Sequence, residues 1–224
     1  MSIVQIERYV KRQMSENSMK LREVLNTWED YLSMAEDLGY DVNDEIIYRV
    51  RKLKQRHDEL VDICNQKDDA IRAQEIREDF PNIEKNLSDV KEKYEYANDK
   101  YTVTVPTTIE QILSEGRALH HCVANIDKYW DRIDRNEAYV FFLRKSDRPT
   151  QAYYTLEVEP CGTVRQKRTM YDRQESDIED AADFLREWQK IIKELSKKNI
   201  IINTGQLQGQ RLVDVLMEDL MEAA

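Results

Sequence analysis

Side chains suited to acid–base chemistry are concentrated between Gly116 and Val123, where the sequence is GRALHHCV. His120 and His121 are two of only three histidines in the chain, and Cys122 directly follows them. Histidine titrates near neutral pH, so an imidazole that faces a pocket can act as a general acid or base. Neighbouring residues on a helix point about 100° apart, so one imidazole can face a pocket while the other packs against the protein.

Neither a metal centre nor a cysteine nucleophile is favoured by this segment. Zinc sites usually pair their ligands two to four residues apart, and the chain has no second histidine or cysteine pair at such a spacing. A direct pair of His121 and Cys122 is awkward because side chains of sequence neighbours diverge. We therefore expect no metal and no cofactor. Two interpretations stay open, a catalytic role and a structural role in ordering a helix junction.

A second group of candidate residues lies on two predicted strands, 152–158 and 163–169. Strand alternation places Glu157 on one face of the first strand and Gln166 with Arg168 on one face of the second. A buried cation requires a partner, which Glu157 or a bound phosphate could supply. The alternative is a solvated, charged sheet face. This region is the most basic part of the chain and includes Arg144, Arg165, Lys167, Arg168 and Arg173.

Composition restricts the possible classes of function. The 224 residues carry a net charge of −10, which disfavours a general nucleic-acid binder but leaves room for local nucleotide or RNA binding. A content of 41% hydrophobic and 35% charged residues is typical of a soluble globular protein. Three widely spaced cysteines form no disulfide framework, which favours a cytoplasmic location. No apolar run reaches the roughly 18 residues of a membrane span, so we expect no membrane association.

The N-terminal part of the chain has the periodicity of amphipathic helices. One predicted helix runs from about Ser18 to Leu38, and another begins after Asp44 and continues to Phe80. The first of these carries an apolar stripe formed by Leu21, Val24, Leu25, Trp28 and Leu32. Residues 1–90 are therefore predicted to form a helical arm or small bundle, whose acidic surface could bind a protein partner.

The pattern changes to alternating, β-rich residues near Lys93. The predicted elements that follow are a hairpin within 94–105, helices at 108–118 and 124–135, strands at 138–143, 152–158 and 163–169, a long helix at 176–198 and a weak helix near the C-terminus. The predicted fold class is α+β, with an N-terminal helical arm followed by an antiparallel sheet, made of a hairpin and a three-stranded meander, flanked by helices. Residues 91–224 form the α+β domain in this prediction.

Taken together, these motifs resemble those of the PcfJ-like family, whose members are encoded by conjugative plasmids and phages of Gram-positive bacteria. The shared elements are a glycine three residues before Leu-His-His-Cys-Val, a Phe-Leu-Arg strand, a Tyr-Thr-Leu-Glu-Val strand and Gln-Lys-Arg, here at positions 116–123, 142–144, 154–158 and 166–168. The resemblance covers about residues 90–195 and extends more weakly upstream through residues 27–31 and 38–41. Two positions depart from it, because Ala124 and Thr169 stand where the family often has glycine.

The resemblance implies a cytoplasmic accessory protein of a conjugative plasmid or phage with a His/Glu/Arg pocket. As an enzyme, such a protein would suit metal-independent phosphodiester or nucleotide chemistry. The predicted catalytic residues are then His120, His121 and Glu157, and the predicted substrate-binding residues are Arg144, Tyr154, Gln166 and Arg168. This hypothesis requires that a histidine, Glu157 and Arg168 converge on one open cleft.

The alternative function is a non-catalytic module that binds a protein of the transfer or phage machinery through the acidic helical arm. This hypothesis requires an apolar stripe on the arm that stays exposed in the folded chain.

Overall fold

The computed structural model describes residues 2–121 and 127–198, except for the side chains of Asp127, Lys128 and residues 196–198. Cys122, Ala124 and the predicted C-terminal helix lie outside the described residues. The chain divides into two compact units, the first comprising Met1–Ile71 and the second beginning at Arg72. This boundary falls within a helix, and the predicted domain boundary at residue 90 stays a prediction.

The first unit is helical. Its helices are α1 (Ile3–Asn17), α2 (Leu21–Asp37), α3 (Glu45–Tyr48) and the first part of α4 (Leu53–Asp79). Buried side chains from these helices form its core, namely Tyr9, Val10, Val24, Tyr31, Ala35, Val50, Leu53 and Leu60.

The long helix predicted after Asp44 is interrupted in the structure. Asp44 does cap the predicted start, because its carboxylate accepts the Ile46 N–H at 2.9 Å. The backbone then leaves the helical conformation, and Lys52 adopts a left-handed φ of 55°. The Leu53 N–H is bound instead by the buried side chain of Gln13, with Oε1 3.0 Å away. A tertiary hydrogen bond thus replaces a helical one at this break.

The second unit combines helices with one sheet. Its further elements are α5 (Ile83–Tyr94), β1 (Tyr96–Ala97), β2 (Tyr101–Thr104), α6 (Ile109–Ala118), α7 (Asp127–Asp134), β3 (Tyr139–Lys145), β4 (Tyr154–Val158), β5 (Val164–Arg168), 3₁₀ turns at Met170–Asp172 and Ser176–Ala181, and α8 (Ala182–Lys198). The five strands are antiparallel and ordered β1-β2-β3-β4-β5. The predicted α+β class, with a hairpin and a three-stranded meander, is therefore confirmed.

The two faces of the sheet have different chemistry. One face is apolar and packs against the helices α5 and α8, where Phe141 contacts both Tyr94 and Trp188. The Trp188 indole N–H donates to the carbonyl of Tyr94 at 2.9 Å, which ties α8 to the end of α5. The other face carries most of the polar residues that the sequence marks as candidates. Helices α6 and α7 supply ionic partners to this second face.

Helix α6 begins as its sequence predicts. The Thr108 hydroxyl accepts the Gln111 N–H at 3.4 Å, and the Gln111 side chain accepts the Thr108 N–H in return. The helix ends two residues before His120, so its length and start set where the two histidines emerge.

Candidate functional site

The polar face of the sheet carries a small cleft that is partly open to solvent. Strand register builds its floor, because Thr155 lies opposite Arg168 and Glu157 lies opposite Gln166 in the β4–β5 pair. Paired residues of an antiparallel ladder project to the same face. The cleft is lined by His121, Tyr129, Val140, Thr155, Glu157, Gln166, Arg168 and Asp172.

His121 forms one wall of the cleft directly after helix α6. It is only 5% exposed, and its Nε2 shares a hydrogen bond of 2.7 Å with the Thr155 hydroxyl. Its other ring nitrogen, Nδ1, is buried and has no hydrogen-bond partner among the described residues. Burial lowers the pKa of His121 below its usual 6.5, and the Asp172 carboxylate acts in the opposite direction. The imidazole is therefore neutral at neutral pH and can accept a proton.

Glu157 is buried in the cleft floor and paired with an arginine. Its carboxylate accepts a hydrogen bond from the guanidinium of Arg132, which reaches down from α7. The charge of Glu157 is thus compensated by Arg132, and the pair links α7 to the sheet. Glu157 lines the cleft, as predicted. Its ionic partner is Arg132 on helix α7 and not an arginine of strand β5.

Arg168 supplies the exposed cation of the cleft. Its Nε donates to the side-chain oxygen of Gln166 at 3.3 Å. Within the described residues the Arg168 guanidinium forms no ion pair, whereas Arg132 and Arg144 are each paired with a glutamate. The remaining N–H donors of Arg168 are available to an anion such as a phosphate.

Arg144 lies on the same sheet face but does not line the cleft. Its Nη1 and Nη2 donate to the two carboxylate oxygens of Glu115 on α6, at 2.8 and 2.5 Å. Both side chains are buried, with exposures of 9% for Arg144 and 4% for Glu115. The guanidinium also lies 4.8 Å from the centre of the Phe142 ring. The structure therefore gives Arg144 a protein partner where the sequence predicts a phosphate.

Tyr154 lies on the opposite, apolar face and is fully buried. Its hydroxyl donates to the Asp177 carboxylate at 2.7 Å and accepts the Glu175 N–H at 3.1 Å. Strand alternation separates it from Thr155 and Glu157, so the structure does not bring Tyr154 to the cleft.

His120 does not line the cleft. It is exposed, its backbone is left-handed with a φ of 48°, and its ring stacks on Tyr171. Of the predicted residues, the structure thus unites His121, Glu157, Gln166 and Arg168, and leaves His120, Arg144 and Tyr154 outside the lining.

Comparison with known proteins identifies the chain's relatives. The family model described as PcfJ-like protein matches residues 27–183. The chain belongs to the PcfJ-like family. The resemblance noted in the sequence is therefore confirmed, and the match begins at residue 27, where the weaker upstream resemblance also begins.

One curated relative of this PcfJ-like chain is an uncharacterised protein of Listeria innocua. The two are 27% identical over 169 residues, which cover 75% of the chain and 34% of the relative. The chain thus matches about a third of the length of that protein. No solved structure matches the chain.

Sequence reasoning did not select several residues at the cleft. Alternation could have found Thr155, which shares a strand face with Glu157. Arg132 and Tyr129 lie on α7, where only the tertiary packing shows which residues face the sheet. Asp172 follows Tyr171 in a turn where both residues are left-handed, with φ near 56–59°. No periodic pattern predicts such a turn.

Two further observations concern the described part of the chain. It contains no cluster of three or more histidine, cysteine, aspartate and glutamate side chains placed to hold a metal ion. Its helices include none that is both long and apolar enough to cross a membrane.

Proposed function

We propose that this PcfJ-like chain binds a phosphate ester of a nucleotide or RNA in the cleft and cleaves phosphodiester bonds without a metal ion. One observation carries the proposal: His121 and Arg168 converge on the same cleft. His121 has a neutral imidazole at neutral pH, and the Arg168 guanidinium forms no ion pair among the described residues.

Each residue has a defined task in this reaction. Arg168 binds the phosphate through charge-assisted hydrogen bonds, and the Gln166 side chain lies beside it. The Thr155 hydroxyl, 2.7 Å from His121 Nε2, takes the proton of the attacking ribose 2′-hydroxyl and passes its own proton to that nitrogen as the new P–O bond forms. The imidazolium then returns this proton to the leaving oxygen as its bond to phosphorus breaks. Asp172 favours the imidazolium that results, because its negative charge raises the pKa of His121. The hydrogen bond with Thr155 holds the ring in place.

We propose that this activity serves a conjugative plasmid or phage inside the cytoplasm. The support is the motif resemblance to a family encoded by such elements, together with the family match over residues 27–183.

The direct test is to incubate the protein with a labelled RNA oligonucleotide and with nucleotides, with and without EDTA. We expect cleavage that persists in EDTA and falls at least about 100-fold in His121→Asn, the range typical of losing a general acid or base. Arg168→Ala should lower binding of the same RNA. His57→Asn is the matched control, because His57 lies on α4 in the first unit, outside the cleft. Equal activity in wild type and His121→Asn would refute the proposed role of the imidazole.

The second candidate function is a non-catalytic interaction module. The observation that favours it is an apolar strip on α2, where Leu21 is 53% exposed and Leu25, one turn later, is 43% exposed. Trp28 continues the strip but is partly buried, and its indole N–H donates to the carbonyl of Tyr48.

Plasmid transfer or phage yield separates the two functions in cells. Loss of the phenotype in Leu21→Glu/Leu25→Glu, with no effect of Arg168→Ala, would favour the module. The reverse pattern would favour the enzyme.

A further inference from the structure

An exposed pair of aromatic rings stands beside the cleft. The rings of His120 and Tyr171 are nearly parallel, with an interplanar angle of 14° and centroids 5.3 Å apart. Tyr171 is 62% exposed, and His120 is exposed as well. Both rings of the stacked pair are therefore accessible from solvent.

The backbone at both rings is held in an unfavourable conformation. His120, Tyr171 and Asp172 have φ values of 48°, 56° and 59°, in the left-handed region that non-glycine residues rarely adopt. Such conformations cost free energy and cluster at ligand-binding sites, where the surrounding structure maintains them.

Hydrogen bonds fix this geometry. The Tyr171 N–H donates to the carbonyl of Leu119 at 2.9 Å and so joins the turn to the residue before His120. The Thr169 hydroxyl donates to the carbonyl of Tyr153 at 2.6 Å, which anchors the start of the turn on the sheet. These hydrogen bonds therefore hold in place the backbone turn that carries Tyr171, next to the segment that carries His120.

The ring pair is connected to the cleft through the chain itself. His121 follows His120, Asp172 follows Tyr171, and both following residues line the cleft. On both segments, the ring pair is therefore adjacent in the chain to residues that line the cleft containing Arg168. The guanidinium of Arg173, 6.0 Å from the centre of the Tyr171 ring, adds positive charge at this ring pair.

We propose that the His120–Tyr171 pair is a stacking platform for the base of a nucleotide whose phosphate binds in the cleft. Every nucleobase has a π-face, so aromatic platforms bind bases with little sequence preference. The ligand class is therefore a nucleotide or single-stranded RNA, and the platform adds a base-binding subsite to the phosphate site. This assignment depends on the phosphate site proposed above.

Calorimetric titration with two probes tests the platform. Adenosine 5′-monophosphate carries both a base and a phosphate, whereas ribose 5-phosphate lacks the base. We expect the wild type to bind the first more tightly than the second. Tyr171→Ala should weaken binding of the nucleotide by about 5-fold to 150-fold, the range that base–aromatic stacking gives, and leave ribose 5-phosphate unchanged.

Three further variants serve as controls for this titration. Tyr171→Trp keeps an aromatic ring and should retain tight nucleotide binding. Tyr40→Ala removes a comparably exposed tyrosine from the first unit and should bind both probes as the wild type does. Arg168→Ala should weaken both probes, because both carry the phosphate.

The possible failures are distinguishable. If the wild type binds both probes equally and Tyr171→Ala changes neither, the platform is refuted while the phosphate site stands. If neither probe binds the wild type at millimolar concentration, the phosphate site and the platform are both refuted.

Discussion

Replacing Arg144 by methionine is expected to destabilise the second unit strongly, because it leaves the carboxylate of Glu115 buried without its partner. The variant loses two charge-assisted hydrogen bonds, with lengths of 2.8 and 2.5 Å. Each such bond is worth about 1.5–3 kcal/mol, and breaking a buried ion pair by removing one partner typically costs about 3–5 kcal/mol. We therefore expect a loss of about 3–5 kcal/mol, a large part of the roughly 5–15 kcal/mol of a typical domain.

The double variant Glu115→Leu/Arg144→Met is expected to recover most of this loss. It removes both charges together and leaves apolar side chains of similar size, an exchange that is often neutral or stabilising for buried pairs. A control is available on strand β5, where Arg165 forms a more exposed pair with Glu159 at 2.6 Å. Arg165→Met should cost no more than about 1 kcal/mol.

Urea unfolding followed by tryptophan fluorescence measures these free energies. A Trp28→Phe background restricts the signal to Trp130 and Trp188 in the second unit, since Trp28 belongs to the first. A cost below about 1 kcal/mol for Arg144→Met would refute the structural role of the pair. Intact stability combined with lost phosphate binding would instead support the substrate-binding role that the sequence predicts for Arg144.

Further predictions concern His121, Thr155 and Gly162. Burial lowers the pKa of His121, so between that value and 6.5 the unfolded chain binds more protons than the folded one, and stability should fall as the pH drops through this window. His121→Asn should show a shallower fall between pH 7.5 and 5.5 in urea unfolding, and an unchanged slope would contradict the assignment. Thr155→Val removes the hydrogen bond to His121 Nε2 and should lower the rate of RNA cleavage about 10-fold or more with the fold intact by circular dichroism, whereas Thr155→Ser should retain most of the rate. Gly162→Ala should be more destabilising than Gly39→Ala in thermal unfolding. Both glycines have a φ near +85°, but only at Gly162 would the new Cβ lie 2.6 Å from a side-chain carbon, Cγ2 of Ile192, so equal costs would refute the steric argument.

Much of the second unit is predictable because its patterns are local. Strand alternation places Glu157, Gln166 and Arg168 on one face, and the register confirms this arrangement. The capping box at Thr108 and Gln111 marks the start of α6 and therefore the position of the histidines after it. The family motif and the α+β class depend on the same local patterns.

Two secondary-structure predictions made from local sequence patterns are wrong. Tyr94 was expected in a strand but ends α5, because its ring packs against Phe141 and its carbonyl accepts the Trp188 indole N–H. The helix expected from Asp44 to Phe80 breaks near Lys52, where a buried Gln13 takes the backbone donor of Leu53. In both cases a contact with a residue at least 40 positions away outweighs the local preference.

By itself, the sequence determined which residues could share a sheet face, where α6 begins and which family the chain resembles. Only the tertiary structure decided which ion pairs form, since Arg144 meets Glu115 and Glu157 meets Arg132 across different elements. The same is true of the ring pair, which requires a left-handed turn to bring Tyr171 to His120. The physical reason is that periodicity specifies the direction of a side chain from its own backbone, whereas a buried charge is stabilised by whichever partner the packing brings within hydrogen-bond distance.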